Sequence, residues 1–195
     1  MNSIRKKLKR TKKRIKEIGI VNTLRLARRR TNKHVAITQP VIKYIDGLSA
    51  QTFSDAMLGL WRDSEAMPMS SMQIDLTEAA FLRMLAQISC AKKILEVGTF
   101  RGWSTAVLAS ALCTDSTTQG DLANIKVTTI QLREEEAEQA RFLWKKHLDP
   151  ITLSRIDLVV GNARIVMKDM AANAADQFDL IFIDADKSGY IEYLE

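Results

Sequence analysis

Two short runs in this 195-residue chain hold side chains able to do chemistry. The first is Glu96-Val-Gly98-Thr-Phe-Arg-Gly102-Trp-Ser104, which places an acid and two glycines at the end of an apolar stretch. Glycine lets a ligand approach the backbone, and a helix starting just after it offers free N–H groups. The spacing is not the dinucleotide fingerprint G-x-G-x-x-G. With Gly98 as its second glycine, Glu96 and Arg101 occupy the other two slots; with Gly98 as its first, Phe100 and Trp103 do. A dehydrogenase using NAD is therefore a distant reading. The second run is Asp184-Ala-Asp186-Lys187, two carboxylates and an amine just beyond another apolar stretch.

For both runs to serve one site, the fold must bring positions 96 and 184 together, and the apolar patterning supplies a way. Lys93–Val97, Val127–Leu132, Ile156–Val160 and Phe178–Ile183 read as strands. Helices are expected over about Gly102–Leu112, over Glu134–His147 and over Ala163–Ala172, with a further one starting near Lys187 and a polar loop over Thr114–Asn124. Four βα units with helix-length spacers imply an α/β fold, a Rossmann-like doubly wound parallel sheet of strand order 3-2-1-4 with N-terminal helices. In such a sheet the ligand crevice lies beyond the carboxyl ends of the strands, where the strand order reverses. N-terminal to the sheet, Pro40 and Gly47 punctuate a transition, residues 51–62 read as a short helix and Met67–Ser71 as a loop. Asp75-Leu-Thr-Glu78 has capping-box spacing and opens a helix carrying Ala79, Phe81, Leu82, Leu85 and Ile88.

The charge is divided. Residues 1–34 carry 14 Lys and Arg against Glu17 alone, or +13, and the remainder carries −7, which together give the net +6. Ile4, Leu8, Ile15, Ile18 and Val21 recur at helical spacing among those basic residues. This arm suits a solvated amphipathic helix docked on the domain, an anionic membrane surface, or nucleic acid. It lacks aromatic residues to stack on bases, which counts against the last. The expected organisation is a basic helical arm over 1–34, a helical cap over 35–70 and a partial Rossmann-like domain over 71–195. Cys90 and Cys113 lack metal-type spacing and read as reduced and mostly buried, which suits a cytoplasmic protein, peripheral to a membrane if the arm binds lipid. His34 and His147 have no partner at useful spacing and read as surface residues.

Met72-Gln-Ile74, then Lys93-Ile-Leu-Glu-Val-Gly-Thr-Phe-Arg-Gly-Trp-Ser104, then Phe178-Asp-Leu-Ile-Phe-Ile-Asp-Ala-Asp-Lys-Ser-Gly-Tyr190 occur in this order. Together they resemble the caffeoyl-CoA and catechol O-methyltransferase family of S-adenosylmethionine-dependent enzymes. The resemblance runs from about residue 55 to the end and leaves the arm outside. It implies methyl transfer from S-adenosyl-L-methionine to a hydroxyl of a small acceptor, assisted by a divalent cation such as Mg2+. It implies that Glu96 binds the methionine amino end, that Gly98 and Thr99 offer backbone, and that Ser104 binds the carboxylate. Ile74 would add a backbone contact, Asn162 and Ala163 would lie beside the adenine, and Asp186 near the cofactor. Asp184 would coordinate the metal, and Lys187 would take the proton from the substrate hydroxyl. Such roles are physically coherent, because a hard cation takes carboxylate oxygen, stabilises the attacking oxyanion and loosens the proton of a nearby lysine. Dimers are common among such relatives, so a homodimer is a further expectation.

Two positions depart from the family pattern. Gln131 ends the second strand where an acid usually accepts hydrogen bonds from both ribose hydroxyls. An amide has one acceptor oxygen and no charge, a loss of roughly 1–2 kcal/mol in cofactor affinity. Asn162 likewise stands where an acid is common. Family members continue through a fifth strand ending in an Asp-Asn pair that completes the metal site, then an edge hairpin. The stop at Glu195 leads to the expectation of a C-terminally truncated chain, weakly active or inactive if it is the whole product. Alternative readings are a tRNA hydroxyl methyltransferase whose arm contacts phosphates, and a non-catalytic module with a degenerate cofactor pocket.

Overall fold

A computed structural model of the chain describes residues 39–113, 124–172, 177–187 and 189–193. The expectations for the basic arm and for most of the Thr114–Asn124 loop lie outside the described residues. By its contacts the chain divides into two compact units, Met1–Lys43 and Tyr44–Glu195, and the sheet with its helices belongs to the second. No helix among the described residues is long and apolar enough to cross a membrane.

The N-terminal helices are α1 (Gln39–Ala50), α2 (Asp55–Glu65) and, after a short 3-10 turn at Ser70–Met72, α3 (Leu76–Ile88). The first two correct the expectation of a single helix over 51–62. Pro40 sits in the first turn of α1, where its missing N–H is no loss. Gly47 is accepted within the same helix, with nothing near its Cα for a side chain to meet. Ser54 then caps α2 by accepting from the Met57 N–H. The capping box at α3 is present as the sequence indicates, with Asp75 accepting from Glu78 N–H and Glu78 returning to Asp75 N–H. Cys90 follows α3 in a left-handed turn and is exposed, and Cys113 is partly so, because neither points into the core its apolar neighbours build.

The sheet comprises β1 (Lys93–Val97), β2 (Lys126–Gln131), β3 (Ile156–Val160) and β4 (Leu180–Ile183), parallel throughout and ordered β3-β2-β1-β4, as the sequence indicates. Between the strands lie α4 (Trp103–Ala111), α5 (Glu134–His147), the short α6 (Pro150–Ser154) and α7 (Ala163–Ala172). Helix α6 escaped the sequence reading; it is one turn long, too short for a period, and is set by Asp149 accepting from the Ile151 and Thr152 N–H groups. Strand β4 starts at Leu180 rather than Phe178, because Asp179 turns aside to accept the Lys92 and Lys93 N–H groups at 2.7 and 2.8 Å. Residues 189–193 form turns, not the expected helix start, with Gly189 N–H bonded to the Asp186 carbonyl.

Two apolar clusters hold the unit. Phe53, Met57 and Leu60 meet Trp103 and Val107 of α4 and Leu143 and Trp144 of α5 in one cluster. Leu82 and Ala86 of α3, Ile94 of β1, Leu108 of α4 and Val127 of β2 build the other. Helix α4 is buried almost all round, so its polar residues must find partners inside the protein. Strands β1 and β2 are likewise buried along nearly their whole length, as expected for the inner strands of a parallel sheet.

Candidate functional site

The carboxyl ends of β1 and β4 are neighbours. Glu96 pairs with Phe182 and Val97 with Ile183, and the Asp184 N–H extends the ladder to the Val97 carbonyl at 2.9 Å. The topology thus joins the two runs that the sequence separates by about ninety residues. The join leaves no room for a side chain at position 98. Gly98 has φ +105°, and a Cβ there would overlap the Asp184 backbone. Gly102, at φ +77°, leads into α4 and lies against the Trp144 indole, whose N–H donates to the Gly102 carbonyl at 2.8 Å.

Glu96 is 0 % exposed. Its Oε2 accepts from the Thr105 hydroxyl of α4 and from the Thr129 hydroxyl of β2 at 2.6 Å. Thr129 is the in-register neighbour of Glu96, which is why its hydroxyl reaches. Since Thr129 gives its one proton to Glu96, the Thr99 hydroxyl, 2.6 Å away, donates to Thr129. Oε1 of Glu96 is buried and makes no hydrogen bond of normal geometry among the described residues, though the Ser104 hydroxyl is near enough to favour the charged carboxyl. Burial raises the carboxyl from its ordinary 4.5 to about 7; the Ser104, Thr105 and Thr129 hydroxyls pull it down, and the charge of Asp184 pushes it up. A buried carboxylate with one bare oxygen is costly unless a cation or donor arrives to meet it. Ser104 stands in the first turn of α4 and is buried.

A small crevice of about 50 Å³ is lined by Gln73, Ile74, Gly98, Thr99, Arg101, Ser104 and Asp184, among others; Glu96 lies inside, not on its wall. That space accepts a small group and not a whole nucleoside. Asp184 is raised by desolvation, against which the charge of Lys187 acts; Lys187 itself is exposed. A larger groove of about 560 Å³ runs between α2 and α5, lined by Met67, Phe142 and Leu143 with Asp63, Glu135 and Glu138. It includes none of the strand-end residues.

The remaining sequence-derived residues are drawn into local bonds. Gln131 is buried, and both ends of its amide are engaged: Oε1 accepts from the Phe100 N–H at 2.8 Å and Nε2 donates to Glu136. Asn162 accepts from the Arg164 N–H at 3.0 Å at the start of α7, and Ala163 is the first residue of that helix. Asp186 lies 3.9 Å from Arg164, which also pairs with Glu192 at 2.7 Å. His147 is not the free surface residue expected. It is partly buried and bonded to Asp63 at 2.7 Å, a partner 84 positions away that local spacing does not reveal. Sequence reasoning missed Thr105, Thr129, Arg101 and Glu136. The signal for Thr129 was available: a hydroxyl pair, Thr128-Thr129, inside an otherwise apolar strand beside an acid-bearing one.

Among the described residues no three His, Cys, Asp or Glu side chains gather as a metal cage. Among the described residues Asp184 is the only carboxylate lining the crevice, and one carboxylate by itself does not hold a divalent cation.

A family model described as O-methyltransferase matches residues 48–195. The chain is 31% identical over 160 residues to a catechol O-methyltransferase of Niastella koreensis, covering 82% of this chain and 66% of that one. It is 30% identical over 132 residues to a catechol O-methyltransferase of Mycobacterium tuberculosis, covering 68% and 53%. It is 32% identical over 129 residues to a caffeoyl-CoA O-methyltransferase of Populus kitakamiensis, covering 65% and 49%. The chain therefore spans about half to two-thirds of the length of these relatives. Among solved structures, an SAH-bound methyltransferase of Podospora anserina superposes with a TM-score of 0.63 at 20% identity, over 84% of this chain and 65% of that one, a likeness of fold alone. An O-methyltransferase of Bacillus cereus in complex with SAH gives 0.62 at 25% identity, over 77% and 66%.

Proposed function

This chain belongs to the O-methyltransferase family, and on that premise we propose that it binds S-adenosylmethionine at the β1–β4 edge and passes the methyl group to a hydroxyl of a small acceptor. The observation that carries the reading is Glu96: a buried carboxylate, held on one oxygen by two threonine hydroxyls, with its other oxygen bare. An α-ammonium is a cation of the right size for that oxygen, and pairing it offsets the cost of burial. Gly98 lets the β1 end close against the Asp184 backbone, and Ser104 with the first N–H groups of α4 would meet the carboxylate end. Ile74 also lines the crevice. Asn162 and Ala163, at the end of β3, and Asp186, beyond β4, stand where the nucleoside end is expected.

The bound cofactor supplies a methyl carbon made electrophilic by its sulfonium. An acceptor hydroxyl taking up that methyl group would give its proton to the Lys187 side chain, and the cofactor would leave as the neutral thioether. Asp184 next to it holds the ammonium so formed. The catechol and caffeoyl-CoA enzymes among the relatives favour a small hydroxylated acceptor. Contacts with tRNA or with an anionic membrane would fall to the basic arm, outside the described residues. The test uses methyl-labelled S-adenosylmethionine and catechol. Labelled methyl ether that disappears in Lys187→Ala, with cofactor binding retained, supports the reading; a folded chain that binds no cofactor refutes it.

A further inference from the structure

Arg101 stands out among the residues lining the crevice. It is 5 % exposed, so its guanidinium is inside the protein. One nitrogen donates to the Pro68 carbonyl, and the plane lies over the Phe100 ring with its carbon 4.5 Å from the ring centre. The other two nitrogens, Nε and Nη1, are buried with no acceptor among the described residues. No carboxylate among those residues lies within ion-pair distance; the charge that acts on it is Glu136, which is already bonded to Gln131 and Arg133. A buried guanidinium without an anion is strongly unfavourable, and proteins rarely keep one unless a ligand supplies the missing partner.

The position narrows what that ligand is. Arg101 lies within the Gly98–Gly102 loop and lines the same crevice as Ser104 and Ile74. Glu96 does not line the crevice, but Ser104, which does, acts on its carboxyl, and its bare Oε1 seeks a cation as Arg101 seeks an anion. Two opposite charges, one beside Ser104 and one lining the crevice with it, each lacking its counter-charge, match a zwitterion: an α-amino acid head with its ammonium toward Glu96 and its carboxylate toward Arg101. We propose that Arg101 binds the α-carboxylate of the cofactor's methionine portion, together with Ser104. This deepens the function proposed above and rests on it. It also answers the change at Gln131: this chain carries no acid for the ribose hydroxyls at that position, and Arg101 adds a charge-assisted contact at the other end of the same ligand.

An anionic acceptor is the other source of a carboxylate, and the experiment separates the two. Binding of S-adenosylmethionine and of its decarboxylated analogue, which differs only by the carboxylate, is measured for the full chain, for Arg101→Met and for Arg101→Lys. Expected for Arg101→Met is a loss of ~10- to 100-fold for S-adenosylmethionine with less than about twofold change for the analogue. Arg101→Lys, which keeps the charge and loses the planar fork, is expected to fall between, again for S-adenosylmethionine only. Ligand-free Arg101→Met is expected to melt no lower than the parent chain, since an unpaired buried charge has been removed. Equal losses for both ligands, or none for either, overturn the proposal in favour of a packing role or of an anionic acceptor. A parent chain that binds neither ligand overturns the methyltransferase reading itself, and this inference with it.

Discussion

Replacing Glu96 by Gln should leave the ligand-free protein more stable at neutral and alkaline pH while weakening its grip on the cofactor. The carboxyl titrates near 7 in the folded chain, against an ordinary 4.5. Between those values the folded state holds a proton that the unfolded state has released, so stability falls as pH rises from about 4.5 through 7. A shift of this size corresponds to about 3 kcal/mol, absent below pH 4.5 and fully felt above about pH 8. The amide introduced by Glu96→Gln cannot ionise, so the variant should lack this component of the pH slope. Urea unfolding of parent and variant at pH 5 and pH 8 measures it, because their difference cancels every other titrating group. The gap should move by about 3 kcal/mol in favour of the variant from pH 5 to pH 8. Cofactor affinity should fall by roughly 10- to 100-fold at pH 8, since the ammonium loses its counter-charge. A gap that does not change with pH would refute the reasoning, as would unaltered affinity.

Other outcomes follow from the same geometry. Gly98→Ala should destabilise by about 3 kcal/mol or more in thermal unfolding, because position 98 needs a positive φ and a methyl there overlaps the Asp184 backbone. Gln131→Glu should cost about 1–3 kcal/mol, since a carboxylate would then face Glu136 inside the protein, and adding Glu136→Gln should recover most of it; lack of recovery argues against the pairing. Asp179→Ala should cost about 1–2 kcal/mol at pH 7 by unclamping Lys92 and Lys93. The two backbone N–H groups hold the Asp179 carboxyl below its ordinary 3.8, so this stabilisation is present above that value and lost as pH falls through the lower one. The difference between Asp179→Ala and its parent should therefore close in acid denaturation curves.

The strands and long helices were legible because their apolar periods are unbroken: Lys93–Val97, Glu134–His147 and Ile156–Val160 occur at the bounds expected. Helix α1 was hidden by Pro40 and Gly47, which break helices in isolation but are harmless in a first turn and on an open face. The site was legible as a location, through Gly98 and the strand-end acids, and not as a network. Glu96 reads as any strand-end acid until the register sets Thr129 beside it and α4 covers it. Gln131 invites a ribose contact in sequence, whereas in space both ends of its amide are used by Phe100 and Glu136. His147 and Asp63 are 84 positions apart, and only packing of α2 on α5 makes them partners. Local chemistry announces itself in sequence; contacts between elements do not.

The most direct measurement is a titration of the isotope-labelled chain with S-adenosylmethionine, followed through its backbone amide resonances. Saturable shifts concentrated at Gly98, Thr99, Gly102 and Ser104, with smaller ones at Asn162 and Ala163, are the expected result. Saturable binding that instead moves Met67, Phe142 and Leu143 in the groove between α2 and α5, or no binding by a folded chain, would contradict a cofactor cradle at the β1–β4 edge.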